Sequence, residues 1–200
     1  MSSSFKNNWK NLNIGNIADL KLLPWHLDYL DDDLKTELAS RNIKTGTFLD
    51  IGTGHGTQAN ALQSLGFNVT GTDINENFLG IAKSANSNVQ YVYDDILKTN
   101  LAQKYDYVFD RGCFHTIHKK HMPLYADAVH FLVKDTFFLK VSSGNDWDMK
   151  VPQVDLNVVI KTFKNKFNII SVQKSVFAKE KPVTKPKPVK CFFFVMQPIN

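Results

Sequence analysis

Two hundred residues are enough for one domain with a full core and too few for two of ordinary size. Hydrophobic residues at 43% with charged residues at 22% give an ordinary globular composition, which argues against disorder and coiled coil. The net charge of +5 does not describe a basic face: Lys179, Lys181, Lys185, Lys187 and Lys190 against Glu180 put +4 of it into residues 179–190, so the body is nearly neutral and nucleic acid is not expected as a partner.

The amino terminus lacks the apolar core of a signal peptide, and no stretch approaches the roughly eighteen apolar residues of a membrane span. Cys113 and Cys191 are the only cysteines and have no metal or redox spacing. A soluble protein of the reducing cytoplasm, without a metal site, is expected.

In chain order, residues 5–45 read as helical and polar with a break at Pro24, and Asp31, Asp32 and Asp33 favour the start of a short helix from Leu34 to Ala39. Strands and helices then alternate: strand 47–51, helix 57–65, strand 67–72, helix 75–84, strand 89–93 and strand 105–110. A helix from about Pro123 to Val133, a strand at 136–141 and a helix from about 153 to 165 follow, with Val133 to Thr136 read as the turn before the fifth strand. The end breaks the pattern, because Asn168 to Phe177 and Cys191 to Met196 are β-rich runs with no helix between them. The expectation is an α/β, Rossmann-like doubly wound fold: a mostly parallel seven-stranded sheet ending in an antiparallel hairpin.

Chemistry concentrates at the first strand. Phe48-Leu49-Asp50-Ile51-Gly52-Thr53-Gly54-His55-Gly56 is an apolar run ending in an acid and closely spaced glycines, and the next strand ends in Asp73, twenty-one residues after Gly52. Glycines belong where the chain leaves the strand, because a side chain there would strike both the turn and a ligand lying across it. Asp73 is placed to accept hydrogen bonds from a ribose diol. A dinucleotide fingerprint needs G-x-G-x-x-G, whereas here the third glycine comes one residue early and Thr57 stands where the last glycine belongs. Asp50 would repel phosphates and suits an ammonium or sulfonium.

These residues resemble the first motif of class I S-adenosylmethionine-dependent methyltransferases. Val69 to Asp73, Tyr91 to Ile96, Tyr105 to His115 and Cys191 to Met196 fall in the order that the family shows. A narrower resemblance, carried by Leu23-Pro24-Trp25-His26-Leu27-Asp28 and Phe109-Asp110-Arg111-Gly112-Cys113-Phe114-His115, is to the branch of thiopurine, tellurite-resistance and halide/thiol methyltransferases.

The resemblance implies S-adenosylmethionine as cofactor, and divides the chain into an amino-terminal helical lid, residues 1–45, and a binding core, 46–200. It assigns cofactor contacts to Asp50, Gly52, Thr53 and Gly54 in the loop, to Asp73 on the ribose, and to Ile74, Asp95 and Ile96 around the adenine. Trp25 would shield the methionyl end, where an aromatic face suits a sulfonium; Trp there could equally anchor the lid on the core. This chain has His26 where the family more often has Asp. Asp110 and the backbone around Arg111 and Gly112 would lie near the amino-acid portion. His115 is either a base or orienting group for the nucleophile or a structural histidine, and Cys113 reads as a core residue. No role is assigned to His55.

The expected reaction is methyl transfer to a small-molecule acceptor: a thiol, a chalcogen anion or a phenol-like hydroxyl. After the fourth strand the chain has Asp110-Arg111-Gly112-Cys113 in place of the Asn/Asp-Pro-Pro-Tyr segment of nucleic-acid amino methyltransferases. A protein or RNA methyltransferase, a noncatalytic cofactor-binding protein and a nicotinamide-dependent oxidoreductase stand as alternatives, and a monomer or homodimer is expected. Residues 142–149 form the expected specificity loop, and the Lys/Pro loop 179–190 is either a solubilising connection or an attractor of anionic acceptors.

Overall fold

The computed structural model describes residues 10–12, 25–86, 88–143, 154–177 and 189–199. Seven strands form one sheet in the order β3-β2-β1-β4-β5-β7-β6. They are β1 (Thr47–Ile51), β2 (Asn68–Asp73), β3 (Gln90–Tyr93), β4 (Tyr105–Arg111), β5 (Val133–Ser142), β6 (Phe167–Val176) and β7 (Lys190–Pro198). The first five run parallel, and β7 lies antiparallel between β5 and β6. The helices are α1 (Asp32–Ser40), α2 (Thr57–Ser64), α3 (Glu76–Ala85), α4 (Met122–Leu132) and α5 (Leu156–Phe163).

Local chemistry sets these boundaries. The Asp31 side chain caps α1 by accepting from the Asp33 amide, and Asn75 caps α3 by accepting from the Phe78 amide. Two apolar layers enclose the sheet. Successive strand residues point to opposite faces, so Phe48, Phe109, Phe138 and Phe193 join Leu34, Leu38 and Leu62 on one side. Leu49, Val108, Phe137 and Leu139 join Tyr125, Val129 and Phe163 on the other. Each such side chain, taken fully out of water, contributes about 1.5–3 kcal/mol.

The alternation of elements and the terminal antiparallel pair agree with the sequence reading. The fifth strand does not begin at residue 136. It starts at Val133, directly after α4, so the expected turn at Val133 to Thr136 is strand. Val133 pairs with Tyr105 and Thr136 with Tyr107, which leaves one residue of β4 opposite two of β5. This is a β-bulge. Val133 and Thr136 are buried while Lys134 and Asp135 are exposed. The bulge turns the polar pair to water without interrupting the strand.

Of the expected amino-terminal helices, the described part is α1 together with residues 10–12 and the segment 25–31. Residues 13–24 of the lid, most of the 142–149 loop and most of the Lys/Pro loop lie outside the described residues. No helix among the described residues is long and apolar enough to cross a membrane. The strand order reverses between β1 and β4, and in such sheets the crevice beyond the carboxyl ends at this point is where ligands bind.

Candidate active site

The loop leaving β1 is built on three left-handed glycines, Gly52 at φ 67°, Gly54 at φ 57° and Gly56 at φ 83°. Each is needed for a different reason. A Cβ on Gly52 would lie 2.7 Å from the Cβ of Cys113 in the turn after β4, so the two turns touch backbone to side chain. A Cβ on Gly56 would press on Ala82 at 2.9 Å and on the Tyr91 ring, whose hydroxyl donates to Asn60 at 2.6 Å. A Cβ on Gly54 would meet no described atom within 4 Å. Gly54 therefore lines open space, a cradle against which a ligand can lie.

Carboxylates surround that cradle. Asp50 is buried, and its Oδ2 accepts from the Thr53 hydroxyl at 2.6 Å. Burial pushes its carboxyl up to about 7; the Thr53 hydrogen bond and the more distant Arg111 oppose the rise, and the Asp110 and Asp73 carboxylates add to it. Asp73 ends β2. Its Oδ2 accepts from the Gly54 amide at 2.9 Å and its Oδ1 from the Asn75 amide at 2.8 Å. Burial raises it too, against those bonds. One carboxylate thus fixes the glycine loop and faces the same cradle. Ile74, beside it, is half-buried.

After β3 the neighbouring acids diverge. Asp94 is buried and accepts from the Asn100 amide at 2.9 Å. Asp95 is half-buried and caps the short turn Ile96–Lys98 through the Leu97 amide at 3.2 Å. Ile96 is buried behind it.

Beyond β4, Asp110 organises the turn. One oxygen accepts from the Gly112 and Cys113 amides at 2.9 and 2.7 Å, and the other from the Phe114 amide at 2.9 Å and the Tyr125 hydroxyl. A carboxylate offers about four acceptor directions, and these four donors take them. Burial still lifts it to about 6, against those bonds. Asp110 shapes the backbone at the crevice, where the sequence reading placed it beside the cofactor's amino-acid portion.

Arg111 ends β4. Its Nε donates to Asp31 at 2.7 Å, Nη1 to the Trp25 carbonyl at 2.7 Å and Nη2 to the Phe177 carbonyl, while the guanidinium stacks 5.3 Å from the Phe177 ring. These partners commit the side chain to the segment before α1 and to Phe177, while the expected cofactor contact concerns the backbone around Arg111 and Gly112. His115 is buried with its Nδ1 accepting from the Ser142 amide at 3.2 Å and its ring edge-on to Phe177. Burial, helped by Arg111, lowers it to about 3, so the ring is neutral at physiological pH. With Nδ1 used as acceptor, the proton sits on Nε2, which can donate but not act as a base. The geometry favours the structural or orienting reading. Cys113 is half-buried against the apolar layer, and burial lifts its thiol well above the ordinary range.

The segment 25–31 lies against the glycine loop. Gln58 of α2 accepts from the Asp31 amide at 2.8 Å and donates to the Tyr29 carbonyl at 3.0 Å. His26 shares a proton with His55 at 2.7 Å and bonds Asp28 on its other nitrogen. Trp25 is half-buried at the start of this segment. Gln58, His55 and His26 were not foreseen as site residues, and no local pattern marks them. Lys140, which binds Asp31, carried a signal: a lysine inside the apolar run Phe137 to Val141 requires a buried counter-ion.

The sequence-derived residues Asp50, Gly52, Thr53, Gly54, Asp73, Ile74, Asp95, Ile96, Asp110, Arg111 and His115 therefore all lie at the carboxyl ends of β1 to β4. Among the described residues no cluster of His, Cys, Asp and Glu could hold a metal ion. Residues 48–136, which include β1 to β4 and all these loops, match the family model described as Methyltransferase domain.

This segment is similar to a methyltransferase domain. The fold agrees. A solved structure described under conversion of a disulfide bond into a thioacetal group during echinomycin biosynthesis matches with a TM-score of 0.74 at 20% identity, over 88% of this chain and 84% of that one. An S-adenosylmethionine-dependent methyltransferase from Clostridium acetobutylicum matches at 0.70 and 15%, over 90% and 96%. The 1,6-didemethyltoxoflavin-N1-methyltransferase of Burkholderia thailandensis, solved with bound 1,6-didemethyltoxoflavin and S-adenosylhomocysteine, matches at 0.70 and 15%, over 100% and 87%. No curated protein sequence matches the chain. The matched segment brings its glycine loop and the carboxylates Asp50, Asp73 and Asp110 to one crevice.

Proposed function

We propose that this enzyme, a methyltransferase that uses S-adenosylmethionine, transfers the methyl group to a small-molecule acceptor bearing a thiol, a chalcogen or a hydroxyl. The observation that carries the cofactor site is the open cradle over Gly54 ringed by Asp50 and Asp73, with the Asp110 turn behind it. That surrounding fits a ligand with a ribose at one end and positive charge at the other.

S-adenosylmethionine, when bound, supplies a methyl group already activated on a sulfonium. The protein has then to bind, align and keep water out. Asp73, held by the backbone amides of Gly54, Asn75 and Ile74, would hold the ribose hydroxyls with its remaining acceptor capacity. Asp50 would face the cationic end, where its carboxylate form is favoured by an ammonium or sulfonium. Asp95 and Ile96, with Ile74, would frame the adenine. The lid, with Trp25 at its edge, would close the crevice, and His115 Nε2–H would orient an acceptor oxygen or sulfur rather than deprotonate it.

The narrower branch, and with it a soft acceptor, is supported by the Pro24-Trp25 and Asp110-to-His115 segments. The echinomycin-pathway structure concerns sulfur chemistry, and the toxoflavin enzyme a small heterocycle. The cysteine usage supports a cytoplasmic setting.

Calorimetric titration with S-adenosylmethionine, S-adenosylhomocysteine and NAD tests the site, with Asp73→Ala as control. Binding of the first two, lost by at least about tenfold in the variant, is expected from losing a charge-assisted bond. Binding of NAD alone would refute it. A screen of thiols and phenols with the tritiated cofactor then tests the acceptor class.

A further inference from the structure

Asp31, Asp33, Arg111 and Lys140 form a charge cluster whose side chains are only 1–16% exposed. Lys140 Nζ reaches both Asp31 oxygens at 2.9 and 2.8 Å and Asp33 at 2.7 Å, and Arg111 Nε reaches Asp31 at 2.7 Å. Two acids meet two bases, so the cluster is neutral as a whole. Arg111 of β4 and Lys140 of β5 are register partners. They project from one sheet face at the carboxyl edge, and both close on the segment that precedes α1.

This cluster is not what seats α1, since Leu34 and Leu38 are buried in the apolar layer on their own account. Apart from the Lys140 bond to Asp33 in the first turn, its bonds hold the stretch before the helix. Arg111 fixes the Trp25 carbonyl at 2.7 Å and the Asp31 carboxylate, and its third bond reaches the Phe177 carbonyl at the root of the Lys/Pro loop. The Phe177 amide in turn donates to the Val189 carbonyl at 3.0 Å, which closes that hairpin. A guanidinium, with donors spread over three nitrogens in a plane, serves acceptors too far apart to converge on the single nitrogen of an ammonium.

We infer that this cluster is a latch for the lid, so that Arg111 and Lys140 are positioning residues that set how long the cofactor stays bound. The inference rests on the reading that residues 25–31 cover the cofactor. Opening the lid separates Asp31 from two buried cations at once, a costly step that keeps the closed state populated. Neither cation needs to touch the cofactor for this to hold.

Two variants test it. Arg111→Lys keeps the charge but cannot make the three bonds; Asp31→Asn with Lys140→Met removes one charge of each sign and keeps the helix cap. Stopped-flow release of S-adenosylmethionine and of S-adenosylhomocysteine is measured for each, with hydrogen exchange of amides 25–31 in the presence and absence of cofactor. Release at least tenfold faster, with protection lost at 25–31 but kept in β1 and β4, is the expected result. Release within twofold of wild type in both variants would overturn the latch. So would a general rise in exchange across β1 and β4 with release unchanged, the mark of a purely structural role. If the wild type binds cofactor without gaining protection at 25–31, the covering lid itself is wrong and the latch falls with it; failure in the variants alone removes only the latch.

Discussion

Acidifying the solution from about pH 7.5 to about pH 5.5 should weaken S-adenosylmethionine binding by about 25-fold, near 1.9 kcal/mol, through one buried carboxyl. Asp50 sits at about 7 in the free protein, pushed there chiefly by burial and further by Asp110 and Asp73, with Thr53 and Arg111 pulling the other way. A cation beside it reverses the balance and favours the carboxylate, so binding has to expel a proton wherever Asp50 still carries one. The factor follows from a group that titrates at about 7 when free and in the ordinary carboxylate range, ~3.9, when bound. Asp110, at about 6, titrates in the same window, but its four donors are all internal and unchanged by a ligand, so it adds little slope. Isothermal titration in two buffers of different ionisation enthalpy reads the proton directly, and about half a proton per cofactor should be released at pH 7. S-adenosylhomocysteine, whose sulfur is neutral, should show a shallower dependence, and Asp50→Asn should flatten the profile for both. A flat affinity across this range, or a slope that survives in Asp50→Asn, would refute the argument.

The glycines of the loop should separate binding from folding. Gly54→Ala carries a left-handed penalty of about 1–2 kcal/mol and puts a methyl group into the cradle, so cofactor affinity should fall more than that figure explains. Gly52→Ala drives into Cys113 and should show first as a lower Tm, read by thermal melts beside titrations. The free protein should also lose stability as pH rises from about 5 to about 7.5. Asp50 and Asp110 have folded values, about 7 and about 6, above their unfolded ones, so the stability they add is complete at low pH and lost on passing through those values. His115, lowered to about 3, works in the opposite sense: its contribution is present above about 6.5 and fades as pH falls toward about 3. Melting curves against pH should therefore be flatter for Asp50→Asn and steeper for His115→Gln.

The gathering of Asp50, Gly52, Gly54 and Asp73 at one crevice was legible in the sequence because it is local. Asp50, Gly52 and Gly54 lie within five residues, and Asp73 follows at the end of the next strand, so spacing alone aligned them. The strand order was legible for a similar reason, since alternation with helices forces parallel strands. What escaped was long-range pairing. Arg111 meets Asp31 across 80 positions and Lys140 meets it across 109, and nothing near either residue marks its partner. The His26 and His55 pair spans 29 positions and is equally silent. The start of β5 was misplaced because Lys134 and Asp135 look like turn residues, although they are the outward pair of a bulge.

That bulge gives the strand a parity. Beyond it, Phe137, Leu139 and Val141 face α4 and α5, and Phe138 and Lys140 face the lid side. Side chains alternate with a period of two, so a slip of β5 by one residue against β4 would exchange the two sets. Lys140 would then point into the phenylalanine-rich layer, and Leu139 or Val141 toward Asp31. The bulge absorbs the extra residue of β5 and keeps Lys140 opposite Arg111, so one step of register, set where Val133 meets Tyr105, determines whether Asp31 has a second cation to meet.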